Sequence, residues 1–352
     1  MIQRIVFGLL SILAILGVVL LDIAIARALS EVDVSHPNLP PLARLLTRGS
    51  VIPLGIFVLM MIGTAEMNHF FKLRGTRPYS GFAGVIIGIL CLSPWFAAAE
   101  WLGHGSTQVE GLYWQVVWLG AGVVGTGVLA VLRRQPENAF RDIGATWIMI
   151  LYLGFLPSFA VLLRCGPDLP RFEDGAWMLL VFLLVVKASD IGGYLVGTTC
   201  GRHKLIPSIS PGKSIEGTVG GVATSMLVAV GIAWMGGPNG TEFLDNWMIS
   251  AGGSSSHSGI FAFLIKDACQ AFGRSVHPGA LDPLVRAAIF GAIIAAVGLA
   301  GDLLESSFKR DVGVKDSGHV LPRFGGILDL VDSPVLALPV AWFLLTGVWG
   351  VI

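Results

Sequence analysis

Acids and cations crowd into Gly301–Pro334, GDLLESSFKRDVGVKDSGHVLPRFGGILDLVDSP, in a chain that is otherwise close to continuous hydrocarbon. These 34 positions hold six carboxylates (Asp302, Glu305, Asp311, Asp316, Asp329, Asp332) and four cations (Lys309, Arg310, Lys315, Arg323), out of 23 acids and 23 bases in the whole chain. Acids at both ends with cations between them suit a site that holds a divalent metal and a polyphosphate together. Asp302 and Glu305 lie one helical turn apart, and Asp329 and Asp332 repeat that i, i+3 spacing. Two unit charges about 4 Å apart repel by roughly 4 kcal/mol at an effective dielectric near 20, so carboxylates converging from two helices require a cation between them. Oxygen-only ligands suit magnesium, which binds through one or two carboxylates plus substrate phosphates. Gly325-Gly326, just before Asp329, lets backbone approach a ligand closely. The plain alternative is a set of acids that end helices in water.

A second polar stretch is GRHKLIPSISPGKSIEGTVGG, residues 201–221. Pro211-Gly212 predicts a turn, after which Lys213 to Glu216 open a helix. A helix N-terminus there would aim free N–H groups and a positive dipole end at an anion. Ser210, Lys213 and Ser214 add hydroxyls and a cation. Alone, SPGKS also fits an ordinary turn; its weight comes from sharing a face with the acidic stretch. Lys187 and Asp190, three apart in an apolar run, can meet on one helix face. They read equally as a mutually neutralising pair or as Asp190 bordering a polar cavity.

The elements that must carry these residues are membrane helices. Of 352 residues, 54% are hydrophobic and 13% charged, and the mean hydropathy is +0.77; soluble domains carry roughly 25% charged residues. Apolar runs near the bilayer-crossing length of roughly 20 residues recur throughout. The fold class is all-α, a polytopic integral membrane protein with about nine spans, roughly 5–26, 51–71, 82–102, 114–132, 143–163, 176–197, 217–235, 284–303 and 332–352. We divide the chain into an N-terminal region of about five spans, 1–175, and a C-terminal catalytic region, 176–352. Asp22 lies near one end of the first span, within reach of the interface. Four scattered cysteines with no CxxC spacing indicate neither a disulfide framework nor a zinc site, and nothing points to a nucleic acid. The third and sixth spans are glycine-rich, which allows close helix approach.

With the N-terminus inside, 14 lysines and arginines fall in cytoplasmic segments against 8 outside, as the positive-inside rule requires. Loops 201–216 and 304–331 then share the cytoplasmic face. The long connection 236–283 reads as a turn-rich insertion, with a short amphipathic helix at 259–272.

These residues resemble the signature of the phosphatidate cytidylyltransferases. That signature is a Ser, an apolar residue, Lys-Arg, then Lys-Asp after four residues, a small residue, His-Gly-Gly, Asp-Arg and Asp. Here it reads Ser306, Phe308, Lys309-Arg310, Lys315-Asp316, Gly318, Pro322, Gly325-Gly326, Asp329 and Asp332. The upstream Gly-Asp-Leu-x-Glu-Ser appears at Gly301–Ser306, Ser-Pro-x-Lys-[Thr/Ser]-x-Glu-Gly at Ser210–Gly217, and Asp190 matches the Asp of Asp-Thr-Gly-Ala-Tyr. The resemblance covers about residue 180 to the end. The chain departs from it at Phe324, where the family has His, at Leu330, where it has Arg, and at Lys187, where an uncharged residue is usual.

The resemblance implies transfer of CMP from CTP to phosphatidic acid, giving CDP-diacylglycerol and pyrophosphate for phospholipid synthesis. It implies magnesium, alone or with a second cation, at Asp302 and Asp329 with Asp332 close by. Catalytic work falls to Asp302, Lys309, Arg310, Lys315, Asp316, Asp329 and Asp332. Substrate contacts fall to Asp190, Ser210, Lys213, Ser214, Glu216, Gly325 and Gly326. A bacterial-type inner membrane, a cytoplasmic active site and a homodimer follow from the same analogy. Three other readings stay open: a cytidylyltransferase for another membrane lipid phosphate, a non-catalytic homologue, and a transporter using Lys187, Asp190 and Asp302 as an ion path.

Overall fold

The computed structural model describes residues 2–30, 45–46, 49–98, 108–133, 136–165, 174–236, 269–270, 282–314, 317–318 and 325–348. The long helices are α1 (Ile2–Ser30), α2 (Val51–Leu73), α3 (Ser80–Ala98), α4 (Gln108–Arg133), α5 (Ala139–Cys165), α6 (Asp174–Cys200), α7 (Ile215–Gly236), α8 (Pro283–Asp311) and α9, which runs from Ile327–Trp342 into a π turn at Phe343–Val348. Eight of them, α2 to α9, are long and apolar enough to cross a membrane among the described residues, and the 29-residue α1 precedes them. The protein is an all-α integral membrane protein.

The chain divides into two compact units. One comprises Met1–Gly17, Leu169–Ala300 and Pro339–Ile352; the other comprises Val18–Asp168 and Gly301–Leu338. The compact units do not follow the division at 175: the acid-rich segment from Gly301 belongs with the N-terminal helices.

In the second unit, Met67 of α2, Ile87 and Leu90 of α3, Met149 and Leu153 of α5 and Leu328 of α9 share one buried core. With little water available, backbone groups freed within a span must find partners inside the protein. Pro94, inside α3, has no N–H to give the carbonyl four residues earlier. That carbonyl, Leu90 O, instead accepts Gln115 Nε2 from α4 at 2.9 Å. Asp22 corrects the expectation of an interfacial acid. It is 0% exposed, because its Oδ1 accepts the Val51 and Ile52 N–H groups at 2.8 and 3.2 Å and its Oδ2 accepts Arg164 Nε at 2.6 Å. A buried acid thus caps the start of α2 and is neutralised by an equally buried arginine of α5.

In the first unit, α6 and α7 pack nearly backbone to backbone. A Cβ at Gly217 would stand 2.8 Å from the Gly193 carbonyl, and one at Gly221 would stand 2.8 Å from that of Ser189. Ser225 sits between the carbonyls of Val185 (3.2 Å) and Gly291 (2.9 Å), joining α6, α7 and the first part of α8.

Candidate functional site

Helix α8 continues about three turns beyond the apolar run that ends at Ala300, to Asp311, so Glu305, Lys309 and Arg310 are helical like Asp302 and not in the loop expected from 304 onward. Its end is set by backbone geometry. Gly313 takes φ +73°, the Gly313 N–H bonds Arg310 O at 3.1 Å, and the Val314 N–H bonds Lys309 O at 3.0 Å. That is a Schellman termination, which a glycine permits and hydropathy does not reveal. Phe308 packs edge-on against Tyr152, 5.8 Å between ring centres, while Arg74 beyond α2 pairs with Asp311 through two N–H groups, Nε at 2.8 Å. The hydrogen bond and charge of Asp311 hold the exposed Arg74 guanidinium above its ordinary pKa.

Helix α9 begins at Ile327, earlier than the 332 expected from hydropathy, which puts Asp329 in its first turn. Gly325, with φ +84°, turns the chain into it; a Cβ there would lie 2.2 Å from Asp329 Oδ2. Asp329 Oδ2 accepts the Gly326 N–H at 2.8 Å, the Ser317 N–H at 2.9 Å and Ser317 Oγ at 2.7 Å. Reaching back from the third helical position to the N-cap N–H is half of a capping box.

Lys309 joins the two helices. Its Nζ lies 2.7 Å from Asp329 Oδ1 and 2.5 Å from Glu305 Oε2. Glu305 is 1% exposed; its carboxylate meets only the ammonium among the described side chains. Asp302 Oδ1 accepts Ser306 Oγ at 3.4 Å. The backbones of α8 and α9 touch beside these acids: a Cβ at Gly301 would stand 2.4 Å from the Asp332 carbonyl. The structure therefore gathers Asp302, Glu305, Lys309, Asp329 and Asp332, with Gly325 and Gly326 shaping the turn. Arg310 is exposed on the last turn of α8. Lys315, Asp316 and Phe324 lie outside the described residues, as does nearly all of the loop 236–283. Leu330 is partly buried against the core.

Among the described residues, no three or more His, Cys, Asp or Glu side chains form a ready-made metal cage. Lys309 already provides the positive charge between Glu305 and Asp329. Asp302 and Asp332 offer the oxygen donors, and the buried Glu305 beside them has a second oxygen with no hydrogen-bond donor among the described residues. That donor set fits magnesium completing its shell with substrate phosphates. Asp329 would join it only by releasing Lys309.

The remaining site residues lie in the first unit. Residues 201–216 form a hairpin of β1 (Lys204–Ile206) and β2 (Ser210–Ser214), with Lys204 opposite Ser214. The turn expected at Pro211-Gly212 lies instead at 207–209; Pro211, Gly212 and Lys213 belong to β2, and α7 starts at Ile215. Pairing with β1, a tertiary effect, overrides the turn preference of Pro-Gly. Ser214 Oγ caps α7 through the Gly217 N–H at 3.1 Å. Glu216 accepts the Arg202 and His203 N–H groups at 3.1 and 3.2 Å and meets His203 Nδ1 at 2.6 Å. Both side chains therefore hold the hairpin on the helix, and Ser210 and Lys213 are half-buried on β2. Asp190 is 44% exposed and pairs with Lys187 at 3.4 Å.

Sequence reasoning missed Glu66 and Ser317. Glu66 was the one acid in the apolar run of α2, and a charge within a span costs on the order of 3 kcal/mol unless something compensates it.

Comparison with known proteins gives a consistent result. Residues 42–348 match the Cytidylyltransferase family. The chain is 31% identical over 216 residues to the uncharacterized protein YnbB of Escherichia coli, covering 60% of this chain and 57% of that one. It is 29% identical to the phosphatidate cytidylyltransferase of Mycobacterium leprae, covering 72% of this chain and 65% of that one. It is 34% identical to the phosphatidate cytidylyltransferase of Staphylococcus haemolyticus, covering 86% and 92%. The matches thus span 57% and 65% of the first two relatives and nearly all of the third.

Proposed function

The chain belongs to the cytidylyltransferase family, and on that premise we propose that it transfers CMP from CTP to phosphatidic acid, releasing pyrophosphate and leaving CDP-diacylglycerol in the membrane. The observation that carries the reading is the Lys309 ammonium between Glu305 and Asp329, on helices whose backbones touch at Gly301 and Asp332. Both relatives from Mycobacterium leprae and Staphylococcus haemolyticus bear the name phosphatidate cytidylyltransferase.

A phosphate oxygen of phosphatidic acid attacks the α-phosphorus of CTP. One P–O bond forms there, the bond from the α-phosphorus to the bridging oxygen breaks, and pyrophosphate leaves with that electron pair. The second ionisation of a phosphate monoester lies near pH 6, so the nucleophile is already an anion and needs no general base. Catalysis then rests on positioning and on neutralising charge. When bound by Asp302 and Asp332, magnesium supplies charge neutralisation at the phosphates. Lys309 keeps Glu305 and Asp329 from repelling each other and fixes α8 against α9. Arg310 and Lys315, and separately Ser210 and Lys213, keep the triphosphate contacts that the resemblance assigns them.

Location follows the charge asymmetry: 14 lysines and arginines inside against 8 outside support a cytoplasmic active site. A bacterial-type inner membrane and a homodimer complete the reading. The test supplies the full-length protein with CTP, magnesium and either phosphatidic acid or an isoprenoid-ether phosphate. CDP-diacylglycerol formed from phosphatidic acid supports the proposal; a product formed only from the other lipid phosphate would replace its substrate.

A further inference from the structure

Glu66 is 8% exposed, about two turns from the end of α2 in an apolar span, and a carboxylate at that depth needs compensation. Its partners are the first turn of another span. Glu66 Oε1 accepts the Ile327 N–H at 2.9 Å, and Oε2 accepts the Leu328 N–H at 3.0 Å. The residue before Ile327 is Gly326, which has no side-chain oxygen to cap its own helix. The acceptor that a Ser or Asp would supply at that position comes instead from residue 66. Two glycines make the room: a Cβ at Gly326 would lie 2.5 Å from Glu66 Oε2, and one at Gly318 would lie 2.9 Å from Oε1.

Asp329 is the third residue of that same turn. Ser317 stands between the two acids, its Oγ 2.7 Å from Asp329 Oδ2 and 3.5 Å from Glu66 Oε2. One hydroxyl proton serves one acceptor at a time, and the shorter contact gives it to Asp329. We propose that Glu66 is a positioning residue: it clamps the first turn of α9 and, through that turn, sets the Asp329 carboxylate that Lys309 meets. The catalytic part of this proposal rests on the cytidylyltransferase reading above. The structural part stands without it. A consequence is that the N-terminus of α9 is filled by the protein's own carboxylates and is not where substrate phosphate binds.

The test compares wild type with Glu66→Gln and Glu66→Asp in the full chain, purified into lipid nanodiscs. Glu66→Gln keeps the shape and removes the charge that accepts two N–H groups. Losing charged hydrogen bonds predicts a kcat about tenfold to a hundredfold lower, with KM for CTP nearly unchanged. Backbone amides of residues 325–330 should exchange with deuterium faster, while the rest of the protein keeps its protection. A folded Glu66→Gln protein with wild-type kcat, or with wild-type exchange at 325–330, overturns the proposal. If Glu66→Gln does not fold, Glu66→Asp decides: it keeps the charge but shortens the reach to the Ile327 and Leu328 N–H groups, so it should show the same kcat loss at constant KM and faster exchange at 325–330, and wild-type turnover or exchange there overturns the proposal. If wild type makes no CDP-lipid, the functional reading fails, and the exchange at 325–330 still decides whether Glu66 holds that turn.

Discussion

Lys309 Nζ lies 2.7 Å from Asp329 Oδ1, so a cation on α8 secures an acid on α9. The same nitrogen lies 2.5 Å from Glu305 Oε2. A fully buried Glu305 and the largely buried Lys309 and Asp329 thus form one unit, and removing the cation leaves two acids facing each other. Breaking a buried ion pair from one side costs roughly 3–5 kcal/mol. Lys309→Met is expected to lower the melting temperature in detergent and abolish turnover. Adding Glu305→Gln to that variant should recover part of the stability and none of the activity. A Lys309→Met protein that melts with wild type would show that the three charges do not act together.

Gly301 is where α8 and α9 meet, with a Cβ placed 2.4 Å from the Asp332 carbonyl. Ordinary contact begins near 3.4 Å, so Gly301→Ala must push the helices apart beside Asp302 and Asp332. A displacement near 1 Å costs on the order of a hundredfold in rate. The expected protein is folded but slow, measured as kcat at saturating CTP. Unchanged kcat would mean that this approach does not set the site.

Glu216 fastens the β1–β2 hairpin to α7 through Arg202 and His203. On the proposed reading, Ser210 and Lys213 of β2 contact the triphosphate. Glu216→Ala should therefore raise KM for CTP severalfold and leave kcat largely intact. The opposite split, a fall in kcat at constant KM, would move Glu216 into the chemical step.

Asp22 and Arg164 carry a stability prediction independent of function. Removing one partner alone, Asp22→Ala, is expected to cost roughly 3–5 kcal/mol, and replacing both with apolar residues considerably less. Asp22 also caps α2, so the double variant should still fall short of wild type. Thermal melts of the two singles and the double give the coupling; additive losses would deny that the two charges interact.

The helices were legible because spans declare themselves by apolar length, and the cluster of Asp302, Lys309, Asp329 and Asp332, whatever its role, stands out in the sequence as polar residues against hydrocarbon. The rest depended on partners far away in the chain. Asp22 looked interfacial because Arg164, 142 positions later, could not be seen to reach it. Glu66 bonds Leu328 across 262 positions, and no local spacing announces such a pair. The ends of α8 and α9 were misjudged because hydropathy fades before the helix does; Gly313 and Gly325, both at positive φ, mark the true limits. SPGKS was read as a turn because its strand exists only by pairing with Lys204–Ile206.

Following label from CTP into lipid tests the proposed transfer itself. CTP carrying label in its α-phosphate is given to membranes containing the full chain, with magnesium and phosphatidic acid, and in parallel to the Asp329→Asn variant. Transfer of CMP by this site predicts α-label in CDP-diacylglycerol, none of it in pyrophosphate, dependence on magnesium, and little or no labelled lipid from Asp329→Asn. A folded wild-type protein that leaves the lipid unlabelled, or an Asp329→Asn variant that labels it at the wild-type rate, would contradict it.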